Sequence, residues 1–189
     1  MIVLLIFLGL LLIFYMSLFL GKYLTKKSTY VKRIGESVYD KKIKQYNSNA
    51  FKPLRKAVEK KSLGQGMGFI APMIVLKSIA FYFISLLLIT PIIVLFQGLA
   101  MGSMFVYHKK QNGNTNELSK ITFWQLFSHL IIASYGTVIG TNWLLSQTLI
   151  AQPDNLVFLN FKQTMAISFV TAIVAAFFEV RAILNEHKV

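Results

Sequence analysis

Long apolar segments separated by polar stretches dominate the pattern along this chain. The first covers residues 2–20 and contains no charged side chain. A bilayer core about 30 Å thick needs about 20 apolar residues in a helix, so this segment is long enough to span it. Positive charge begins only after it, at Lys22, whereas a secretory signal peptide has its charge in front. We therefore predict that residues 1–21 form an uncleaved anchor with its N-terminus outside.

The apolar segment 69–107 determines the topology of everything that follows. It runs for 39 positions with one charge, Lys77, which is too long for one ordinary span. Pro91 lies near its middle, and proline disfavours α geometry in the residue before it but is well tolerated at the start of a helix. The pattern predicts two spans, 73–89 and 91–107, joined by a tight turn. A single helix kinked at the proline is the alternative interpretation.

The distribution of charge favours two spans. Residues 22–61 hold 13 Lys or Arg against three acidic residues, and short cytoplasmic loops carry an excess of Lys and Arg. If the middle segment crosses twice, Lys109, Lys110 and Arg181 also lie inside. If it crosses once, all three fall outside.

Two further apolar segments, residues 121–148 and 161–184, follow the middle segment. The prediction is an all-α integral membrane protein with five transmembrane helices, of which the last four form a domain over residues 69–189. An outside loop is expected at residues 152–155 and a cytoplasmic C-terminus at the end. The richness in Lys, Ile, Phe and Asn is typical of a low-GC bacterial coding sequence, so the expected location is a bacterial cell membrane.

The basic segment, residues 22–68, is the only sizeable polar part of the chain. Apolar residues recur in it at helical spacing, which predicts two short amphipathic helices on a cytoplasmic loop. Such helices would lie on the anionic inner leaflet through Lys22–Lys61 or bind a partner protein. The alternative is a solvated loop that only fixes orientation. Residues 63–68 are rich in glycine and are predicted to form a flexible hinge. The apolar positions are Tyr30, Val31, Ile34, Val38 and Ile43, then Phe51, Leu54 and Val58.

Composition excludes several classes of protein. The mean hydropathy of +0.58 and the 55% of hydrophobic residues are typical of a polytopic membrane protein. The formal net charge of +13 does not indicate a nucleic-acid partner, because most of the excess lies in one segment between spans. The chain has no cysteine, and it contains no Ser-His-acid set, paired carboxylates or HExxH motif. We predict no catalytic site, no cofactor and no metal site.

Ionisable residues inside the apolar segments are the candidates for a functional role. Lys77 and Glu179 fall at similar depth in the five-span arrangement, so an ion pair between them is predicted, with Arg181 as a competitor for the carboxylate. The alternative is that each side chain extends separately to the inner interface. His129 could relay protons, bind a metal or hydrogen-bond a hydroxyl group on a neighbouring helix.

Two pairs of glycines have the four-residue spacing that lets helices approach closely in lipid. They are Gly98 with Gly102, and Gly136 with Gly140. The spacing predicts that these spans pack tightly against each other or against a partner.

Several of these positions lie in short motifs that resemble the bacterial stage II sporulation protein M family. Thr90 is followed by Gln97-Gly98-Leu99-Ala100-Met101-Gly102, similar to an Asn-Gly-x-x-x-Gly element in the family, and Ser128-His129-Leu130 is similar to its Pro-His-Gly. The resemblance covers residues 70–184. Gln97, Ser128 and Leu130 replace the family's Asn, Pro and Gly, and Ala133 stands where the family has an acidic residue.

The resemblance implies a non-enzymatic membrane component whose partners are other membrane proteins, such as an ABC transporter or a second copy of the chain. The namesake anchors a cell-wall-remodelling complex during engulfment. Relatives act in the maturation, export or immunity of circular bacteriocins, and we prefer this second setting. A different hypothesis is a small permease-like subunit in which Lys77, His129 and Glu179 line a polar path.

Overall fold

Seven α-helices make up the described part of the chain, which is residues 2–112, 116–147 and 161–186 of a computed structural model. No strand occurs among these residues, so the predicted all-α class is confirmed. The predicted outside loop at 152–155 and the C-terminal residues 187–189 lie outside the described residues. The helices are α1 (Ile2–Lys27), α2 (Thr29–Asn47), α3 (Lys52–Glu59), α4 (Leu63–Leu86), α5 (Thr90–Asn112), α6 (Asn116–Gln147) and α7 (Phe161–Glu186), with a 3-10 turn at Asn49–Phe51.

Four of the described helices are long and apolar enough to cross a membrane: α1, α4, α5 as far as Lys110, and α7. A membrane protein is therefore confirmed, but hydropathy supports four crossings rather than the predicted five. The predicted span that is not among these four is α6, which carries many polar side chains. Residues 128–134 of α6 are all buried, so the polar groups of this stretch face other helices instead of lipid. Polar groups at helix interfaces serve as contacts inside a membrane bundle.

Two separate helices occupy the middle apolar segment, as the proline predicts. The chain turns between Leu86 and Thr90, and Pro91 is the second residue of α5. Leu88 takes a left-handed conformation in this turn, with φ of 58°. Pro72, by contrast, lies inside α4 and does not end it.

The glycine-rich residues 63–68 are helical, so the predicted hinge is wrong. After α3 the chain reverses at Lys61, which has a left-handed φ of 51°, and the Ser62 side chain accepts a hydrogen bond from the first turn of α4. A Cβ on Gly66 would lie 2.6 Å from a methyl group of Val180 on α7. Close packing of α4 on α7, rather than flexibility, explains this glycine.

The helices α1 and α5 pack in parallel through the first glycine pair. A Cβ on Gly98 would lie 2.7 Å from the carbonyl oxygen of Phe14, and one on Gly102 would overlap the carbonyl oxygen of Leu18. Gly21 on α1 lies equally close to the backbone of α5. Side chains are thus absent where the two backbones meet.

The helices α4 and α6 form a second parallel pair that repeats this interface. A Cβ on Gly136 would lie 2.8 Å from a carbonyl oxygen of α4, and one on Gly140 would overlap another. The facing sequences are also similar, Phe-Tyr-Met-Ser-Leu at 14–18 and Tyr-Phe-Ile-Ser-Leu at 82–86. In both, the serine hydroxyl donates to the carbonyl three residues earlier. The glycine pairs therefore serve two internal contacts, and they do not pack against each other.

The helix α7 runs antiparallel to both members of the second pair. The Tyr82 and Tyr135 rings meet Phe161 near the start of α7, whereas Gly66 meets Val180 near its end. Small side chains allow α7 to pack closely here. The apolar cluster that it shares with α3 and α4 comprises Leu54, Ile70, Ile74, Ala172, Ala175, Ala176 and Val180.

The basic segment is helical and packs on the bundle. Gly35 of α2 lies against Ser103 of α5, whose hydroxyl donates to the Val31 carbonyl at 2.6 Å. Tyr30 and Ile43, predicted for the apolar face, are exposed instead. α2 therefore crosses α5 through a small-residue contact.

The shorter helix α3 matches its predicted face more closely. Leu54 and Val58 are buried, together with Ala57, and Pro53 lies in the first turn, where its missing N–H costs nothing. Its lysines remain exposed on the other side.

The parallel pairs predict that alanine has opposite effects at two glycines. Gly102→Ala should lower the stability of the bundle by about 1–3 kcal/mol, because its methyl group meets backbone that cannot move aside. Gly9→Ala on α1, where no atom of another described helix lies within 4 Å of a Cβ, should leave stability unchanged or raise it by up to about 1 kcal/mol through helix propensity. Thermal or denaturant unfolding in detergent measures both. Equal effects would contradict the close contact.

Candidate functional site

A network of hydroxyl groups joins α4, α6 and α7 inside the bundle. Ser128 Oγ and Ser168 Oγ each donate to the other residue's carbonyl oxygen at 2.9 Å. Ser78 Oγ lies 3.0 Å from Ser128 Oγ. All three serines are buried, so every polar group here finds its partner within the protein.

His129 belongs to the same network. Its Nδ1 lies 2.9 Å from Ser78 Oγ, and its ring stacks on Phe81 with centroids 5.2 Å apart. Which of the two atoms donates depends on the imidazole tautomer. Of the roles considered for His129, the structure shows the hydrogen bond to a neighbouring helix. No group of three or more metal-binding side chains occurs among residues 2–112, 116–147 and 161–186.

A cleft near the basic segment brings together three charged side chains from three helices. Lys42 of α2, Lys77 of α4 and Glu179 of α7 all line one cavity of about 130 Å³. Gln125 of α6 also lines it and donates a hydrogen bond from Nε2 to Glu179 Oε2 at 2.6 Å. These four side chains thus come from four different helices.

The predicted ion pair between Lys77 and Glu179 is absent. In the part of the chain that the structure describes, the one ion pair within 4 Å joins Lys32 and Glu36 on α2 at 3.7 Å. Arg181 is exposed and forms no such pair with Glu179. The side-chain amide of Gln125 donates a hydrogen bond to the Glu179 carboxylate instead.

The ammonium group of Lys42 lies in a crowded environment, although the residue as a whole is exposed. Desolvation lowers the pKa of Lys42, the Glu179 carboxylate opposes this change, and Lys77 lowers the pKa further. The three charges therefore influence one another without direct pairing.

The remaining positions of the family-like motifs are separated from Ser128. Thr90 is buried at the start of α5, and Gln97 lies further along the same helix. For Thr90 Oγ1 and Gln97 Oε1, the described residues supply no hydrogen-bond partner. Because α5 packs on α1 and α2, whereas Ser128 faces α4 and α7, these positions form no common site.

Sequence reasoning missed Gln125, Ser78 and Ser168 as site residues, and it counted Lys42 only as a loop charge. Single polar residues in an apolar helix give no sign of which neighbour they will meet. One usable signal was the small-residue spacing of Ser17 and Gly21 on α1, which faces the first glycine pair.

Comparisons with models of protein families, with curated proteins and with solved structures found no match for this chain.

The hydroxyl network predicts a difference between two buried serines on α6. Ser128→Ala should lower the free energy of unfolding by about 0.6–1.7 kcal/mol, because it removes bonds between helices. Ser134→Ala should cost less, since among the described residues the Ser134 hydroxyl bonds only the Leu130 carbonyl in its own helix. The free energies of unfolding of both variants are measured in the same detergent and compared. A larger loss for Ser134→Ala would contradict the network's role.

Proposed function

We propose that this chain is a non-enzymatic membrane accessory or scaffold protein. The observation that supports it is how the polar groups of the spans are used. Ser78, Ser128, His129 and Ser168 bond one another across helices, so they tie the bundle together. The apolar outer surface and the basic segment are then available to partner molecules.

The proposal includes five crossings, with α6 as the fifth. The directions of packing support it. α1 runs parallel to α5 and α4 runs parallel to α6, whereas α7 opposes α4 and α6. Strict alternation across a bilayer requires this set of directions. The basic segment and the Lys109/Lys110 pair then fall on the same side.

The absence of cysteine from the chain allows a clean test of topology. Single substitutions Asn114→Cys and Asn155→Cys place one thiol before α6 in the sequence and one after it. With a membrane-impermeant maleimide on intact cells, we expect labelling at 155, and at 114 only after permeabilisation. Labelling of position 114 from outside would contradict five crossings, as would labelling of both positions from one side.

Two exposed surfaces are available for partner proteins. Large apolar side chains on α1 face outward, Leu12 and Met16 among them, and they suit lipid or another transmembrane helix. The outer side of α3 presents lysines, including Lys52 and Lys56, which suit an acidic protein surface or anionic lipid.

The resemblance to the stage II sporulation protein M family extends the proposal to a biological setting. We favour an accessory role in the maturation, export or immunity of a circular bacteriocin, in contact with an ABC transporter or a second copy of the chain. Assembly of a sporulation engulfment complex is the other setting that the family implies.

A second candidate function is a small permease-like subunit that works with an ABC ATPase. The observation in its favour is the cleft, where Lys42, Lys77 and Glu179 meet without direct ion pairs. Charged groups within a membrane bundle commonly mark a transport path.

One pair of experiments separates these functions. A photo-crosslinking residue in place of Lys56 on α3 should capture a defined protein in the native cell. The same residue in place of Phe169 on α7, which is exposed and lies outside both surfaces, serves as the control. For a scaffold, Glu179→Gln should leave this capture intact and affect no transport. Loss of substrate flux in Glu179→Gln with capture unchanged would instead establish the permease-like function. No protein adduct from α3, together with normal activity of the protein purified alone, would overturn the scaffold.

A further inference from the structure

The charged cleft is lined by residues of α2, α3, α4, α6 and α7 and by Phe51 of the 3-10 turn. A second cavity, of about 290 Å³, adjoins the charged one. The two cavities share Lys42, Tyr46, Glu179 and Ile183. They therefore form one space with α2 as its cover.

The two parts of this space differ in chemistry. Lys42 and Glu179 line both parts, and the smaller part adds Lys77 and Gln125, which do not line the larger one. The larger part is lined mainly by apolar side chains from α2, α5, α6 and α7. These are Ile43, Met104, Leu118, Ile121, Ala182 and Ile183. A polar end joined to an apolar end is the shape and chemistry of an amphiphile.

The charges of the polar part favour an anion. Two ammonium groups face one carboxylate, and that carboxylate already accepts a hydrogen bond from Gln125. Neither Lys42 nor Lys77 has an acidic partner within 4 Å among the described residues. One positive charge is therefore left over, and both lysines are exposed, so an incoming ligand can reach their ammonium groups. A group with a single negative charge balances the three charges of the cleft.

We propose that this cleft binds one phospholipid that carries a single net negative charge. The phosphodiester lies between Lys42 and Lys77, and the first part of an acyl chain fills the apolar cavity beneath α2. The basic helix that covers the cleft supports this occupant, because juxtamembrane lysines concentrate anionic lipids at the inner leaflet.

This binding goes beyond the scaffold function and does not depend on it. A scaffold without bound lipid and a lipid-binding permease subunit are both physically consistent. The two proposals are therefore tested by different measurements.

The test measures binding of phosphatidylglycerol to the full-length protein purified in detergent, by native mass spectrometry or with a fluorescent lipid. Lys42→Gln and Lys77→Gln should each weaken binding about tenfold, as expected for loss of one charge-assisted hydrogen bond. Lys41→Gln is the matched control, since Lys41 is the adjacent exposed lysine on α2 and lines neither cavity. It should bind as the wild type does.

Glu179→Gln removes a negative charge from the cleft, whereas each lysine variant removes a positive one. Removing the carboxylate leaves both lysines for the phosphodiester, so binding should be unchanged or tighter. A merely structural role would weaken binding in all three cleft variants. Phosphatidylcholine should bind at least about tenfold more weakly than phosphatidylglycerol, and free glycerol phosphate should not compete.

Three results would overturn the proposal. They are equal binding by Lys42→Gln, Lys77→Gln and Lys41→Gln, equal binding of the zwitterionic lipid, and effective competition by glycerol phosphate, which would indicate a site for free anions. If a lysine variant does not fold, the lipid selectivity and the competition by glycerol phosphate, both measured on the wild type, still test the proposal.

Discussion

Close contact between helix backbones, at positions without side chains, is the constraint on which this structure depends. Lipid supplies no hydrophobic force between helices, so they are held by close packing and by hydrogen bonds. At Gly102 and Gly140 the partner's carbonyl oxygen occupies the place of a Cβ. Such an approach suits weak Cα–H···O contacts as well as dispersion. The rest of the bundle is arranged around these two parallel pairs.

The polar residues follow from this arrangement. Once α6 lies against α4 and α7, its hydroxyl groups and its imidazole are enclosed by protein, where they are satisfied by neighbours instead of being exposed to hydrocarbon. This explains why α6 is less apolar than the helices around it. The charged cleft lies where α4, α6 and α7 meet α2 and α3.

The sequence predicted the parts of the fold that depend on local pattern. Pro91 marked the start of α5, and the glycine spacing marked two close contacts. The identity of the partners was not visible, because Gly98 meets a segment some 80 positions earlier in the chain and spacing within one helix says nothing about that segment. The prediction of an ion pair between Lys77 and Glu179 was wrong for a similar reason, because Gln125 and Lys42 line the same cleft from other helices. The helical start of α4 was missed because glycine has low helix propensity, which contact with Val180 outweighs.

The two parallel pairs are interleaved along the chain, and this has a consequence for biosynthesis. The main packing partner of α1 is α5, and that of α4 is α6. When α5 has been synthesised, α6 has not, so α4 still lacks its partner. The α1–α5 pair can form once α5 has been made, but the bundle is completed only after the glycines of α6 have been synthesised.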